Sequence, residues 1–151
     1  MVELNDVLNY KNENVIYRFT KIYAITEEEA NDIFCETLKW LWLSQKVNYP
    51  FFVDDSISII DEMWHNFILF TKDYNDFCKK YFGKYIHHQP TTKEDAQIWK
   101  NDWNKQLKDF EKKLEEQYGI IYDTLGSATL EKWYSEYAEK YSAEKIKYLL
   151  K

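Results

Sequence analysis

From Ile57 to Phe70 the chain reads ISIIDEMWHNFILF, and its apolar residues Ile57, Ile59, Ile60, Met63, Trp64, Phe67, Ile68, Leu69 and Phe70 fall on nearly every side of a 3.6-residue helix. A helix that is apolar almost all round has no face to give to water and must be wrapped by other elements. The remaining chain has little material for strands and their tight turns, since 151 residues contain only 3 Gly and 2 Pro. The wrapping elements are therefore helices joined by short connections. At this length a single core suffices. The expectation is an all-α protein, one compact domain over residues 1–151, with about six helices around a central apolar hairpin from Ile57 to Phe82.

The flanking segments supply those helices. Val15, Ile16, Phe19, Ile22 and Tyr23 recur at helical spacing. Thr26 followed by Glu29 forms a capping-box signature that opens a helix over residues 27–45. Ser56 is placed to cap the central helix, and Thr71 to cap its partner, which Gly83 ends in the left-handed conformation. Thr92 opens a long helix striped with Ala96, Trp99, Trp103, Leu107, Phe110, Leu114 and Tyr118, with Gly119 as its stop. A turn through Gly126 and Ser127 leads to a helix carrying Leu130, Trp133, Tyr134 and Tyr137, and Ser142 caps a last piece ending near Leu150.

Charge narrows the partners. The net charge is −6, and residues 1–63 hold 12 acids against 5 bases. Arg18 is the sole arginine, so the bidentate forks that grip phosphates and guanine edges are nearly absent and nucleic-acid binding is disfavoured. No run of 18 apolar residues is present and the N-terminus lacks a signal-peptide pattern, which predicts a cytoplasmic protein with no membrane span. The two cysteines, Cys35 and Cys78, read as buried thiols within helices rather than a disulfide framework.

The segment from Asp61 to His88 concentrates the chemistry. Asp61 and His65 stand four apart and share one helix face, and Tyr74 with Cys78 repeats the spacing on the second helix of the hairpin. Beyond Gly83, the adjacent His87 and His88 lie in an extended stretch whose side chains alternate in direction, so one of them turns inward; His88 is assigned that place and His87 the exposed one. Asp61, His65, Cys78 and His88 then form a mixed O/N/S donor set, for which zinc is the best-suited ion. The other reading is a hydrogen-bonded staple: Asp61 accepts from His65, Tyr74 ties the hairpin, Cys78 is a core thiol and His88 anchors the loop. The spacing contains neither a CxxC pair nor an HExxH motif, and both readings stay open.

The run Asp61-x-x-Trp64-His65, followed by Tyr74, Cys78, Gly83 and His88, resembles the core signature of the glycine-rich domain-containing protein-like family. Phe67 occupies the position where plant members carry a second histidine, and the glycine-rich tail is absent. The resemblance implies that Asp61, His65, Cys78 and His88 act as one unit supported by Trp64, Tyr74 and Gly83, and it implies no enzymatic activity.

Three functions fit. The first is a non-enzymatic module that binds another protein, its seam braced by hydrogen bonds or zinc. The second is a metal-dependent hydrolase in which Asp61, His65 and His88 hold the ion and Glu62 or Tyr74 assists proton transfer. The third is a thiol-based sensor acting through Cys78.

Overall fold

A computed structural model describes residues 1–151. The chain is all-α and has no strand, the one β-type contact being an isolated antiparallel bridge between Tyr23 and Leu150. By its internal packing it divides into two compact units, residues 1–85 with 131–151, and residues 86–130.

The first unit opens with α1 (Leu4–Leu8), α2 (Glu13–Ile22) and α3 (Glu27–Lys46). Asn12 starts α2 by accepting the backbone N–H groups of Asn14 and Val15. The Thr26–Glu29 capping box forms as the sequence predicts: the Thr26 hydroxyl accepts from Glu29 N–H at 3.1 Å, and the Glu29 carboxylate accepts from Thr26 N–H at 2.8 Å. Two orphan donors are thus satisfied reciprocally, beside three acidic residues that complement the positive end of α3.

A 3₁₀ turn, Asp55–Ile57, leads into α4 (Ser58–Ile68), and a bend at Leu69 and Phe70 reverses the chain into α5 (Thr71–Phe82). Neither Ser56 nor Thr71 caps its helix; the 3₁₀ turn takes the place of a cap before α4, and Thr71 is the first residue of α5 itself. Gly83, at φ 72°, closes α5 with its N–H on the Lys79 carbonyl.

The hairpin is central, as expected. Ile59, Ile60, Met63 and Phe67 of α4 are inaccessible to solvent, and the Phe67 ring lies 5.1–5.7 Å from those of Tyr10, Phe34, Tyr74 and Phe77. Those rings come from α3, α5 and the α1–α2 connection, so one side chain of α4 joins three other segments; truncating such a buried phenylalanine costs about 3–5 kcal/mol. α4 is not apolar all round, however. Asp61 is half-buried and His65 exposed, giving the helix one wet edge.

The second unit holds α6 (Lys93–Asn101), α7 (Trp103–Leu125) and most of α8 (Ser127–Glu131). Thr92 and Asp95 make a second capping box at α6. The long helix expected from Thr92 to Tyr118 is broken at Asp102, whose backbone leaves the helical region (φ −146°, ψ 71°) while its carboxylate caps α7 through Lys105 N–H. Gly119 does not stop α7. It is a helix-interior glycine, and the helix runs on to Gly126, whose φ of 92° suits a residue without Cβ. The chain returns to the first unit through a π-helical turn, Lys132–Glu136, then α9 (Tyr137–Tyr141) and α10 (Ala143–Leu149). The segmentation is finer than six helices because of α1, the break at Asp102 and the π turn.

Candidate metal centre

Residues 61 and 65 sit one turn apart on the wet edge of α4, and His65 Nε2 stands 3.4 Å from Asp61 Oδ2. The two side chains are 50% and 23% exposed, His65 the more so. This separation is long for a charge-assisted N–H···O bond, which settles near 2.7–2.9 Å. It is an ion-pair distance, and it is also close to the spacing of two ligands on one tetrahedral ion: donors each about 2.0–2.1 Å from zinc lie roughly 3.3 Å apart along the tetrahedron's edge. Asp61, His65 and His88 each offer one ligand atom, and the three atoms all lie within 4.8 Å of one another. His88 is half-buried and His87 exposed.

Cys78 and Tyr74 occupy a different setting. Both are fully buried. Trp64 Nε1 donates to the Tyr74 hydroxyl at 3.0 Å, and that hydroxyl faces the Cys78 thiol. Burial pushes the Tyr74 hydroxyl well above its ordinary range, and the neighbouring Cys78 adds to the shift while the Trp64 bond opposes it. The tyrosine is therefore neutral and engaged in tying α4 to α5. Glu62, one step round α4 from Asp61, accepts the Tyr23 hydroxyl at 3.0 Å. Tyr23 in turn is raised by burial first and by the Glu62 charge second.

Sequence periodicity missed the most polar part of the first unit. Glu36, 2% exposed in the middle of α3, accepts from Trp133 Nε1 at 3.0 Å and pairs with Lys39 at 2.9 Å and Lys132 at 3.2 Å. One turn earlier Asp32 accepts from Lys132 at 2.5 Å and from the Tyr137 hydroxyl at 2.6 Å. The only trace of this in the sequence is Glu36 falling between Ile33 and Leu38 on an inward face. Its partners in the return segment lie about a hundred positions away and carry no local signal.

Cys35 also departs from the expected core position. It is half-buried and lines a cleft of about 640 Å³ together with Tyr10, Tyr17, Asn31 and Phe34. Burial raises its thiol pKa, and the Glu36 carboxylate raises it further. The cleft is lined by neither Asp61 nor His65.

Among known proteins, a family model described as UCP032817-like matches residues 7–117, well over half of the chain. No curated protein and no solved structure matches it. This corrects the resemblance to the glycine-rich domain-containing protein-like family: the residues from Asp61 to His88 that carried it lie inside the UCP032817-like match. A few identities at fixed spacing within one hairpin are weaker grounds than a match that also takes in α2, α3 and α6. No helix is long and apolar enough to cross a membrane.

Proposed function

The chain belongs to the UCP032817-like family, and from that premise we propose that it is a metal-binding helical protein whose Asp61, His65 and His88 hold one zinc ion. The observation that carries this reading is the convergence of a carboxylate and two imidazoles within 4.8 Å, on a helix edge where the Asp61–His65 ion-pair spacing of 3.4 Å is also that of two ligands on one ion. Two imidazoles and one carboxylate suit zinc among the common divalent ions, while calcium and magnesium take all-oxygen sets. Three protein donors leave a coordination position for a small ligand, the arrangement of exchangeable rather than purely structural sites.

The same open position favours a second reading, hydrolysis by a metal-activated water. Glu62 is held by Tyr23, and Tyr74 is buried under Trp64, so neither proton-transfer group named from the sequence is at liberty. The sensor reading draws no support from Cys78, which is fully buried and so shielded from oxidants.

Protein prepared without a histidine tag is expected to carry about one equivalent of zinc by elemental analysis. His65→Ala and Asp61→Asn should each remove most of it, and Cys78→Ser should leave it in place. Loss of zinc on Cys78→Ser would restore the four-donor set. Metal-free protein whose melting temperature is unchanged by zinc or by chelator would overturn the proposal.

A further inference from the structure

The cleft beside Cys35 belongs to the first unit and has an apolar floor under a polar rim. A connection of four residues, Tyr23 to Thr26, brings the end of α2 beside the start of α3, and the cleft follows both helices. On α3 it is lined by Glu27, Asn31, Phe34, Cys35 and Leu38, whose spacing puts them on one stripe of the helix. That stripe is roughly 16 Å long at 1.5 Å per residue. Along it the lining changes from open to enclosed: Glu27 and Asn31 are exposed, Cys35 is half-buried, and Phe34 and Leu38 are 4% and 1% exposed. Ile16 of α2, also buried, completes the floor. The raised pKa of Cys35 keeps its thiol uncharged at neutral pH, so it adds to the apolar surface. A volume of about 640 Å³ falls within the range of small-molecule sites, roughly 300–1,000 Å³.

Charge sorts the two ends. At the open end Glu27 is the only charged residue that α3 contributes, and Asn31 donates its amide N–H to the Glu27 carbonyl at 2.9 Å, which keeps its side-chain oxygen as an acceptor. Tyr17 and Thr20 of α2 also line the cleft, and the exposed Lys21 stands over the Tyr17 ring at 5.0 Å without lining it. Lys11 and Glu13 flank the Asn12 cap at the start of α2. The lining therefore holds two carboxylates and one ammonium, within a stretch, residues 1–63, of 12 acids against 5 bases. Such a surface favours a cation over an anion. Lys11 disfavours a second positive group at its end of the cleft, which excludes a linear polyamine.

We propose that this cleft binds a monoamine with an apolar body, its ammonium group at Glu27 and the Asn31 amide oxygen and its body against Ile16, Phe34 and Leu38. The site shares no residue with the metal centre, so either can fail without the other.

Cys35 reports on occupancy, because Cys78 is fully buried and leaves one thiol open to reagent in native protein. Phenylbutylamine serves as the probe, with phenylbutanol and phenylbutyrate as its uncharged and anionic counterparts. Each is titrated by calorimetry and by the rate of Cys35 modification at about pH 9, where the amine stays protonated. The amine is expected to bind with a Kd below about 1 mM and to slow the modification, the alcohol to bind about tenfold more weakly and the carboxylate more weakly still. Glu27→Gln, at an exposed position, should weaken the amine about tenfold and leave the alcohol unchanged, with circular dichroism to verify folding. No binding of the amine, an amine that binds no better than the carboxylate, a bound amine that leaves Cys35 modification as fast as before, or a Glu27→Gln variant that loses amine and alcohol equally would each overturn the proposal.

Discussion

The indole N–H of Trp133 donates to the Glu36 carboxylate at 3.0 Å, joining residues 97 positions apart. The bond links the middle of α3 to the π turn that begins the C-terminal helices, and Lys132 and Tyr137 from the same return segment complete it through Asp32 and Glu36. A carboxylate 2% exposed is tolerable only because three donors meet it. The C-terminal segment of the first unit is therefore held by a polar lock as well as by apolar contact.

Removing the carboxylate should reveal that dependence. Glu36→Ala strands the Trp133 N–H and takes one partner from Lys39 and from Lys132, which keeps Asp32, and is expected to destabilise the protein by about 3 kcal/mol. Trp133→Phe should cost less, and the double variant should cost less than the two separately, because they share one interaction. Urea denaturation of the three variants measures it, and strict additivity would contradict the lock.

The two thiols should behave as different species. Cys35 borders a cleft, with its pKa raised by burial and by Glu36, while Cys78 is fully enclosed beside Tyr74. In native protein a disulfide reagent is expected to modify one thiol, slowly at pH 7 and faster only above the ordinary thiol range near 8.5. The second should react on unfolding. Rapid labelling of both thiols at neutral pH would contradict this arrangement.

Alkali should unfold the protein through its tyrosines. Burial raises the hydroxyls of Tyr23, Tyr74 and Tyr137 well above their usual value, and at Tyr23 and Tyr137 the neighbouring carboxylates Glu62 and Asp32 add to the rise. An acid whose folded pKa exceeds its unfolded one contributes stability that is complete below the unfolded pKa, near 10, and is lost as pH climbs toward the folded value. Stability measured by denaturant titration should thus be flat up to about pH 9 with respect to these groups and fall steeply beyond pH 10. Tyrosinate absorbance should rise with unfolding rather than ahead of it for this buried set, and full ionisation of every tyrosine in protein that is still helical would disprove the assignment.

Two glycines should respond in opposite directions. Gly83 sits at φ 72° at the end of α5 with open space around its Cα, so Gly83→Ala bears only the cost of the left-handed backbone, about 1–2 kcal/mol. Gly119 lies inside α7, and a methyl group added there would likewise meet no atom within 4 Å, so Gly119→Ala is expected to stabilise by up to about 1 kcal/mol. Thermal melts of the pair decide it, and destabilisation by Gly119→Ala would mean that α7 ends earlier than Leu125.

Local chemistry in the sequence determined the helices and some of their starts and stops, although Ser56 and Thr71 do not cap theirs. Thr26 with Glu29, Thr92 at its capping position, and Gly83 at the end of α5 act through bonds to residues three or four away, so their effects are readable from adjacent letters. The apolar run from Ile57 likewise required a central hairpin, because most of its surface could not be left to water without loss. Spacing also put Asp61 and His65 on one face, because four residues make about one turn whatever surrounds the helix. Tertiary structure decided the rest. It set the wet edge of α4 at Asp61 and His65 while enclosing Tyr74 and Cys78, since which side of a helix meets water depends on its neighbours. It made Glu36 a buried anchor through Lys132 and Trp133, whose distance along the chain leaves no periodic trace. It carried α7 through Gly119, where the cost of a helical glycine, about 1 kcal/mol, is small enough for the surrounding helix to absorb.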